Sequence, residues 1–288
     1  MTSTTPSTLF RIGLVQMTST DNVTTNYTTC VRLAQKAAAQ NVQLLSFPEC
    51  FHFIGGGTTG LKSVDIAETL EGPTIQKYQD LARATNLTLS LGGFQEKSED
   101  ASKVYNTHVV IDPTGTLIAA YRKIHLFDYE AGGLMESTFT LPGNRIQTVQ
   151  CAAVNCDAVT VGLSTCYDVR FPQMYQTLRD LGASLILVPS AFTVATGTQS
   201  YVLAAAQAGI HNEKRTSYGH ALVVDPWGVV VAEAHSEGEG EGSSAEQLLI
   251  VDVDLALVDR IRTKMPIAEH TRNDVYTAKD QLQPGTTI

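Results

Sequence analysis

Three polar residues stand where short apolar runs finish. Glu49 follows LLSFP (44–48), Lys123 follows GTLIAAYR (115–122) and Cys166 follows VTVGLST (159–165). Each residue taken singly has an ordinary reading: a carboxylate or lysine at a strand end is commonly a solvated loop residue, and a buried cysteine is commonly inert packing. Together they fit one chemistry. A free thiol titrates near ~8.5, so little of it is thiolate at neutral pH, and it needs a base or a nearby cation to act as a nucleophile. Glu49 suits the base. Lys123 suits the cation that lowers the thiol pKa and then holds the oxygen of a tetrahedral intermediate. Strand ends are where α/β folds gather ligands, so all three can face one crevice. Cys166 stands at a strand-to-helix turn, which lifts a nucleophile out of a sheet and points the Tyr167 N–H near the same oxygen.

The elements that must position these residues follow from local pattern. LFRIGLVQM (9–17), VQLLSFPE (42–49), LTLSLGGF (87–94) and AVTVGLST (158–165) read as strands. VYNTHVVIDPTGTLIAAYRK reads as two strands joined by the turn DPTG. A helix over 26–40 places Tyr27, Cys30, Val31, Ala34 and Ala38 on one face. Further helices are expected over 74–86, over 171–182 with Pro172 in its first turn and Gly182 at its stop, and over 254–264. ASLILVPSAF, SYVLAAA, HALVVDPWGVVVAEA and QLLIVDVD add strands. The mixture predicts an α/β fold with a mixed sheet system and helices outside. HSEGEGEGSSAEQ (235–247) reads as a solvated acidic connector. We expect a single domain over 9–278, with tails at 1–8 and 279–288.

The chain has 288 residues, 43% of them hydrophobic, and a net charge of −9. That balance argues against nucleic acid or an anionic membrane as partner, because phosphate binding needs clustered basic charge. No run approaches the length of a membrane span, and the first residues lack the basic and apolar regions of a secretory signal. The five cysteines, Cys30, Cys50, Cys151, Cys156 and Cys166, form no C-x-x-C pair. Their odd number suggests reduced thiols in a cytoplasmic compartment, with a mitochondrial one as the alternative, and neither a structural metal nor a cofactor is expected.

The segments around the three residues resemble the signatures of the nitrilase superfamily of carbon-nitrogen hydrolases. FPEC (47–50), YRKIHLFD (121–128) and STCYDVRFP (164–172) carry the resemblance, followed in order by PSAFTVATG (189–197), SYGHALVVDPWG (217–228) and IRTKMP (261–266). The resemblance runs from about Arg11 to Tyr276. It implies a four-layer α/β/β/α sandwich, usually a homodimer or larger, and hydrolysis of a small-molecule amide through a thioester. Cys166 would be the nucleophile, Glu49 the general base and Lys123 the oxyanion support. The family's second glutamate falls on Glu136 in LMES, with Glu130 as the rival. A Cys–His protease would need His125 or His220, but the local signatures of such proteases are missing, and His125 reads better as a companion of Lys123 in RKIH.

QSYVLAAAQAGIHNEKRTSYGHALVVDPWG (199–228) resembles the deaminated-glutathione amidase branch. That implies hydrolysis of deaminated glutathione to 2-oxoglutarate and cysteinylglycine, a metabolite-repair reaction. The alternative is the ω-amidase branch, acting on 2-oxoglutaramate or 2-oxosuccinamate. Lys214 and Arg215 in HNEKR are candidates for the carboxylate of a longer peptide substrate, or else belong to a charged surface turn. Arg170, whose planar fork suits a carboxylate, is the candidate for the oxo-acid end unless it pairs with Asp168. By resemblance, Phe192 and Thr196 would line the pocket, with Tyr167 beside them.

One departure stands out. Relatives continue after TVATG with a further helix, whereas here Thr198 leads directly into QSYVLAAA. If ASLILV and SYVLAAA lie parallel, the crossover is shorter than the dozen or so residues usual for such a connection. The expectation is a scaffold lacking a helix after Gly197, with apolar sheet exposed and the family dimer in doubt. An inactive or misfolded variant is the reading of another class.

Overall fold

The computed structural model describes residues 9–129, 134–152, 158–190, 200–235 and 245–264. The expected tails at 1–8 and 279–288 lie outside these residues, as do Glu130, Phe192, Thr196 and the centre of the acidic connector. The chain opens with β1 (Leu9–Met17), α1 (Val23–Ala38), β2 (Leu44–Phe47), α2 (Pro73–Thr85), β3 (Thr88–Lys97), β4 (Val104–Ile111) and β5 (Leu117–Arg122). Short strands β6 (Asp128–Tyr129), β7 (Leu134–Met135) and β8 (Thr140–Leu141) precede β9 (Gln147–Cys151) and β10 (Val159–Leu163). Then come α3 (Pro172–Asp180), β11 (Leu185–Leu187), β12 (Tyr201–Ala204), β13 (Ala206–Asn212), β14 (Arg215–Tyr218), β15 (Leu222–Val224), β16 (Val230–Glu233), β17 (Gln247–Asp254) and α4 (Leu255–Lys264).

Local signals set the helix ends. The Asn22 side chain accepts from the N–H groups of Thr24 and Thr25 and caps α1. Pro73 and Pro172 open α2 and α3, and Gly182, at φ +88°, lets the chain leave α3. The buried stripe of α1 is Asn26, Cys30, Leu33, Ala34 and Ala37, turned from the expected face. The reason is polar. Asn26 is buried because its amide donates to the Thr20 and His52 carbonyls and accepts from the Thr20 N–H.

The strands form two large sheets. One runs β14-β13-β1-β2-β3-β4-β5, with β17 antiparallel to β1 and β8 beside β4; the other runs β16-β15-β12-β11-β10-β9. In β1, Phe10, Ile12 and Leu14 join the core between the sheets, while Val15 and Met17 join the core under α1 and α2. In β10, Val161 and Leu163 also enter the inter-sheet core. Gly162 lies between them on the other face, where an added Cβ would press on Leu178 of α3. Helices therefore cover the outer face of each sheet, which gives the expected α/β/β/α order.

The connection expected to lack the family helix joins parallel neighbours: Leu185 pairs with Tyr201 and Leu187 with Leu203. Residues 191–199 of this connection lie outside the described residues. The apolar exposure expected here is not what the flanking strands show, because β11 and β12 are buried throughout. Part of the cover is α4. Its Arg262 donates to the Ala183 carbonyl (2.7 Å) and to Ser200 Oγ (3.0 Å), tying together the residues that lead into β11 and β12. Exposed apolar side chains lie instead on the β15–β16 hairpin, at Trp227, Val229, Val230 and Val231.

Candidate active site

The nine-stranded sheet supplies most of the polar groups. Glu49 lies just past β2, Asn106 within β4, Lys123 just past β5, and Glu136 in a 3₁₀ turn after β7. Lys123 Nζ donates to Glu49 Oε1 at 3.1 Å and to Glu136 Oε2 at 2.9 Å and Oε1 at 3.1 Å. Asn106 Nδ2 reaches both carboxylates, at 2.9 Å from Glu49 Oε1 and 3.2 Å from Glu136 Oε1. The Phe127 N–H donates to Glu136 Oε2 at 2.7 Å. Gln207 holds the main chain of the base by donating to the Glu49 carbonyl at 3.0 Å.

Gly93 is required for this arrangement. It lies at φ +69° in a bulge of β3, and a Cβ there would stand 2.7 Å from Cys50 N and 2.9 Å from Glu49 Cγ. The bulge brings β3 against the turn that carries the base.

The six-stranded sheet supplies Cys166. The residue is 5% exposed and adopts φ +47°, a left-handed conformation that costs energy for any residue with a Cβ. Its N–H is committed to the Pro189 carbonyl at 2.9 Å. The expected strand-to-helix turn is a 3₁₀ turn, Cys166–Arg170, leading into α3. Cys166 lines the same cavity as Glu49 and Lys123, and its thiol helps hold the Glu49 carboxyl down. The three strand ends expected to converge therefore do so.

Charge within the cluster is balanced by contact. Burial by itself would push Glu49 up, but the Lys123 charge, with hydrogen bonds from Asn106, Cys166 and Lys123, holds its carboxyl below the usual range. Burial likewise works against the Lys123 ammonium, yet Glu49, Cys166 and Glu136 carry it well above the ordinary lysine value. Lys123 is thus a fixed cation beside a carboxylate base. Cys50 lines the same cavity, but loss of solvent around its thiol and the Glu49 charge push it up to about 12. It is not a competing nucleophile at neutral pH.

The cavity is walled by Phe53, Phe94, Tyr105, Phe127 and Phe139, and Arg215 enters from the β13–β14 hairpin. Among the described residues the Arg215 guanidinium has no ion-pair partner. The hairpin that carries it is tied down: His211 bridges the Ser19 carbonyl and Ser217 Oγ, and Asn212 Nδ2 donates to the Gly55 carbonyl. Lys214, the other cation of HNEKR, is exposed.

Two expectations for arginine and tyrosine need correction. Arg170 is exposed and does not line the cavity among the described residues, nor does it pair with Asp168. Asp168 points inward and is filled by donors from Tyr121, His125 and Thr165, leaving no place for the guanidinium. The Tyr167 ring packs edge-on against Phe127 and Phe171 and does not face the cavity; its N–H, at the open end of the turn, remains the relevant group. Phe192 and Thr196 lie outside the described residues. Asn106 was missed in the sequence. The signal was an amide inside the apolar strand VYNTHVV, where a buried polar side chain requires partners.

A family profile described as carbon-nitrogen hydrolase matches residues 11–263. The deaminated glutathione amidase of Dictyostelium discoideum is 39% identical over 93% of this chain and 96% of its own length. The omega-amidase NIT2 of Mus musculus is 33% identical over 94% of this chain and 98% of its own length. The crystal structure of the Caenorhabditis elegans NitFhit protein superposes with a TM-score of 0.80 at 38% identity, covering 94% of this chain and 67% of that one. With a family profile over most of its length and relatives of 33% and 39% identity along nearly the whole chain, the chain is a member of the carbon-nitrogen hydrolase family, hydrolases acting on non-peptide carbon–nitrogen bonds.

Proposed function

We propose that this chain is an amidase that cleaves deaminated glutathione through a thioester on Cys166. The observation that carries the reading is the Glu49–Lys123–Cys166 cluster, with the cysteine in one cavity with a carboxylate kept ionised by a buried ammonium. In the first half-reaction Glu49 takes the thiol proton as sulfur bonds to the amide carbon. The carbonyl π pair moves to oxygen, where Lys123 Nζ and the Tyr167 N–H receive the charge. The C–N bond then breaks, and Glu49 returns the proton to the leaving nitrogen. Water adds to the thioester with Glu49 again as base, the C–S bond breaks, and the thiol is restored. Glu136 keeps Lys123 in place throughout.

Arg215 favours a substrate with a carboxylate. Glu49 and Glu136 outnumber Lys123, so an anionic substrate meets net repulsion unless Arg215 balances it. We assign Arg215 to the carboxylate of the cysteinylglycine portion. The relatives named deaminated glutathione amidase support this substrate over the ω-amidase alternative. A homodimer, a cytoplasmic location and the absence of a nucleic-acid partner remain part of this proposal. The net charge is consistent with it, and so is the fact that Cys30, Cys50, Cys151 and Cys166 form no disulfide among the described residues. Among the described residues no helix is long and apolar enough to cross a membrane.

The test compares turnover of deaminated glutathione and 2-oxoglutaramate on one preparation, with mass spectrometry for an acyl adduct on Cys166. Preference for deaminated glutathione with an adduct supports the reading. Preference for 2-oxoglutaramate moves the chain to the ω-amidase reaction, and no adduct with no turnover favours an inactive protein.

A further inference from the structure

The parts of the site come from different sheets. Glu49, Asn106, Lys123 and Glu136 belong to the nine-stranded sheet and its loops, whereas Cys166 belongs to the six-stranded one. What lies between the sheets is largely an apolar core, and apolar contact is non-directional. It brings the sheets together without fixing a sulfur relative to an ammonium. Directional bonds across the interface are needed for that, and they occur on both flanks of the cysteine.

On the C-terminal flank stands Asp168, fully buried. Its Oδ2 accepts from Tyr121 Oη at 2.7 Å and from the Thr165 N–H at 2.8 Å. Its Oδ1 accepts from His125 Nδ1 at 2.7 Å and from the His125 N–H at 3.2 Å. Tyr121 and His125 bracket Lys123 in sequence, and Thr165 immediately precedes the left-handed Cys166. One carboxylate therefore grips the lysine segment from both sides and the cysteine turn from within. The His125 ring is fixed further by stacking on Phe171, with centroids 3.6 Å apart. On the N-terminal flank the fully buried His108 of β4 repeats the pattern. Its Nδ1 is 3.0 Å from the Ser164 carbonyl, which only accepts, so Nδ1 carries the hydrogen and Nε2 accepts from Ser90 Oγ at 2.8 Å.

We propose that Asp168 is a positioning residue: its buried carboxylate ties the Cys166 turn to the Lys123 segment across the two sheets and sets where the sulfur stands relative to the ammonium. This rests on the thioester reading above. Asp168 does not line the cavity and touches no substrate; it acts through Thr165, Tyr121 and His125. The carboxylate is suited to the task because all four of its partners are donors. An amide in its place would turn one end into a donor facing other donors.

The experiment uses the full chain with Asp168→Asn, with Leu33→Ala as a stability control in the core under α1. Three quantities are read: kcat, KM, and the rate at which iodoacetamide alkylates Cys166, followed at that residue by peptide mass spectrometry. Asp168→Asn is expected to lower kcat by about 100-fold, as misplacement of about 1 Å does, with KM within about threefold of the parent. Alkylation of Cys166 falls with it, by about tenfold, because the thiolate loses its place beside Lys123. Leu33→Ala lowers the melting temperature and leaves kcat and alkylation unchanged. The proposal is overturned if folded Asp168→Asn keeps kcat and alkylation within threefold of the parent, or if Leu33→Ala reproduces both losses. Should Asp168→Asn not fold, Tyr121→Phe, which removes one of the four donors, is read the same way: a partial loss of kcat and alkylation supports the proposal, and parental values overturn it. Failure of the thioester reading looks different, since the parent protein itself would then show neither an acyl adduct nor an alkylated Cys166.

Discussion

Replacing Lys123 by methionine keeps most of the side-chain length and removes the charge shared by two buried carboxylates. The Lys123 side chain is 2% exposed, and those of Glu49 and Glu136 are 7% and 10% exposed. Without the ammonium these acids face one another, with Asn106 shared between them and the Phe127 N–H on Glu136. Removing one partner of a buried ion pair costs about 3–5 kcal/mol, which for a chain of this size lowers the melting temperature by on the order of 10 °C. The loss depends on pH in a stated direction. In the parent, Glu49 titrates below its unfolded value and Lys123 above its own. Their stabilisation is therefore present between the unfolded carboxylate and lysine ranges, and is lost only as pH falls through the folded Glu49 value or rises through the folded Lys123 value. In the variant one carboxylate has its pKa raised by burial beside a like charge. Its folded form is favoured at low pH and weakened as pH rises through that raised value. Calorimetry of both proteins at pH 5.5 and 8.5 reads this as a difference, which cancels the histidine contributions they share: the variant's deficit in melting temperature relative to the parent is larger at 8.5. Activity falls about 100- to 1,000-fold from the missing oxyanion partner. An equal deficit at the two pH values, or kcat within tenfold of the parent, would refute the reasoning.

Three further outcomes follow from the same geometry. Gly93→Ala forces a Cβ between Cys50 N and Glu49 Cγ at a positive φ, so it should destabilise by about 1–3 kcal/mol and lower kcat, measured by urea unfolding and steady-state kinetics. Arg215→Met should raise KM for a carboxylate-bearing amide by about 10- to 100-fold, the worth of a hydrogen bond to a charged group, and change KM little for the matching carboxamide. Burial holds His108 and His52 down at about 4. Both are depressed, so the stability they report is present above the unfolded histidine range near ~6.5 and is lost as pH falls from there to about 4. Melting temperatures across that window should decline, and the slope should flatten in His108→Gln.

The apolar runs and their polar ends were legible from residue order alone. A buried strand announces itself by composition, and a Glu, Lys or Cys just past its end has few places to go but the rim of a sheet. Helix ends were legible for a similar reason, since Pro172 and Gly182 act on their own backbone. Tertiary structure decided everything that depends on which face meets which. Arg170 and Arg215 both lie in motif-like segments, yet only Arg215 lines the cavity, because Asp168 is already filled by Tyr121, His125 and Thr165. Asp168 carries no local mark of its role, and Asn106 carries only that of an amide inside an apolar strand. Their partners lie on other strands, and in the case of Asp168 across the inter-sheet core, and a hydrogen bond between distant segments exists only once the packing has brought them within about 3 Å. The sequence by itself determined the chemistry available at three strand ends; the packing of two sheets decided that those ends meet.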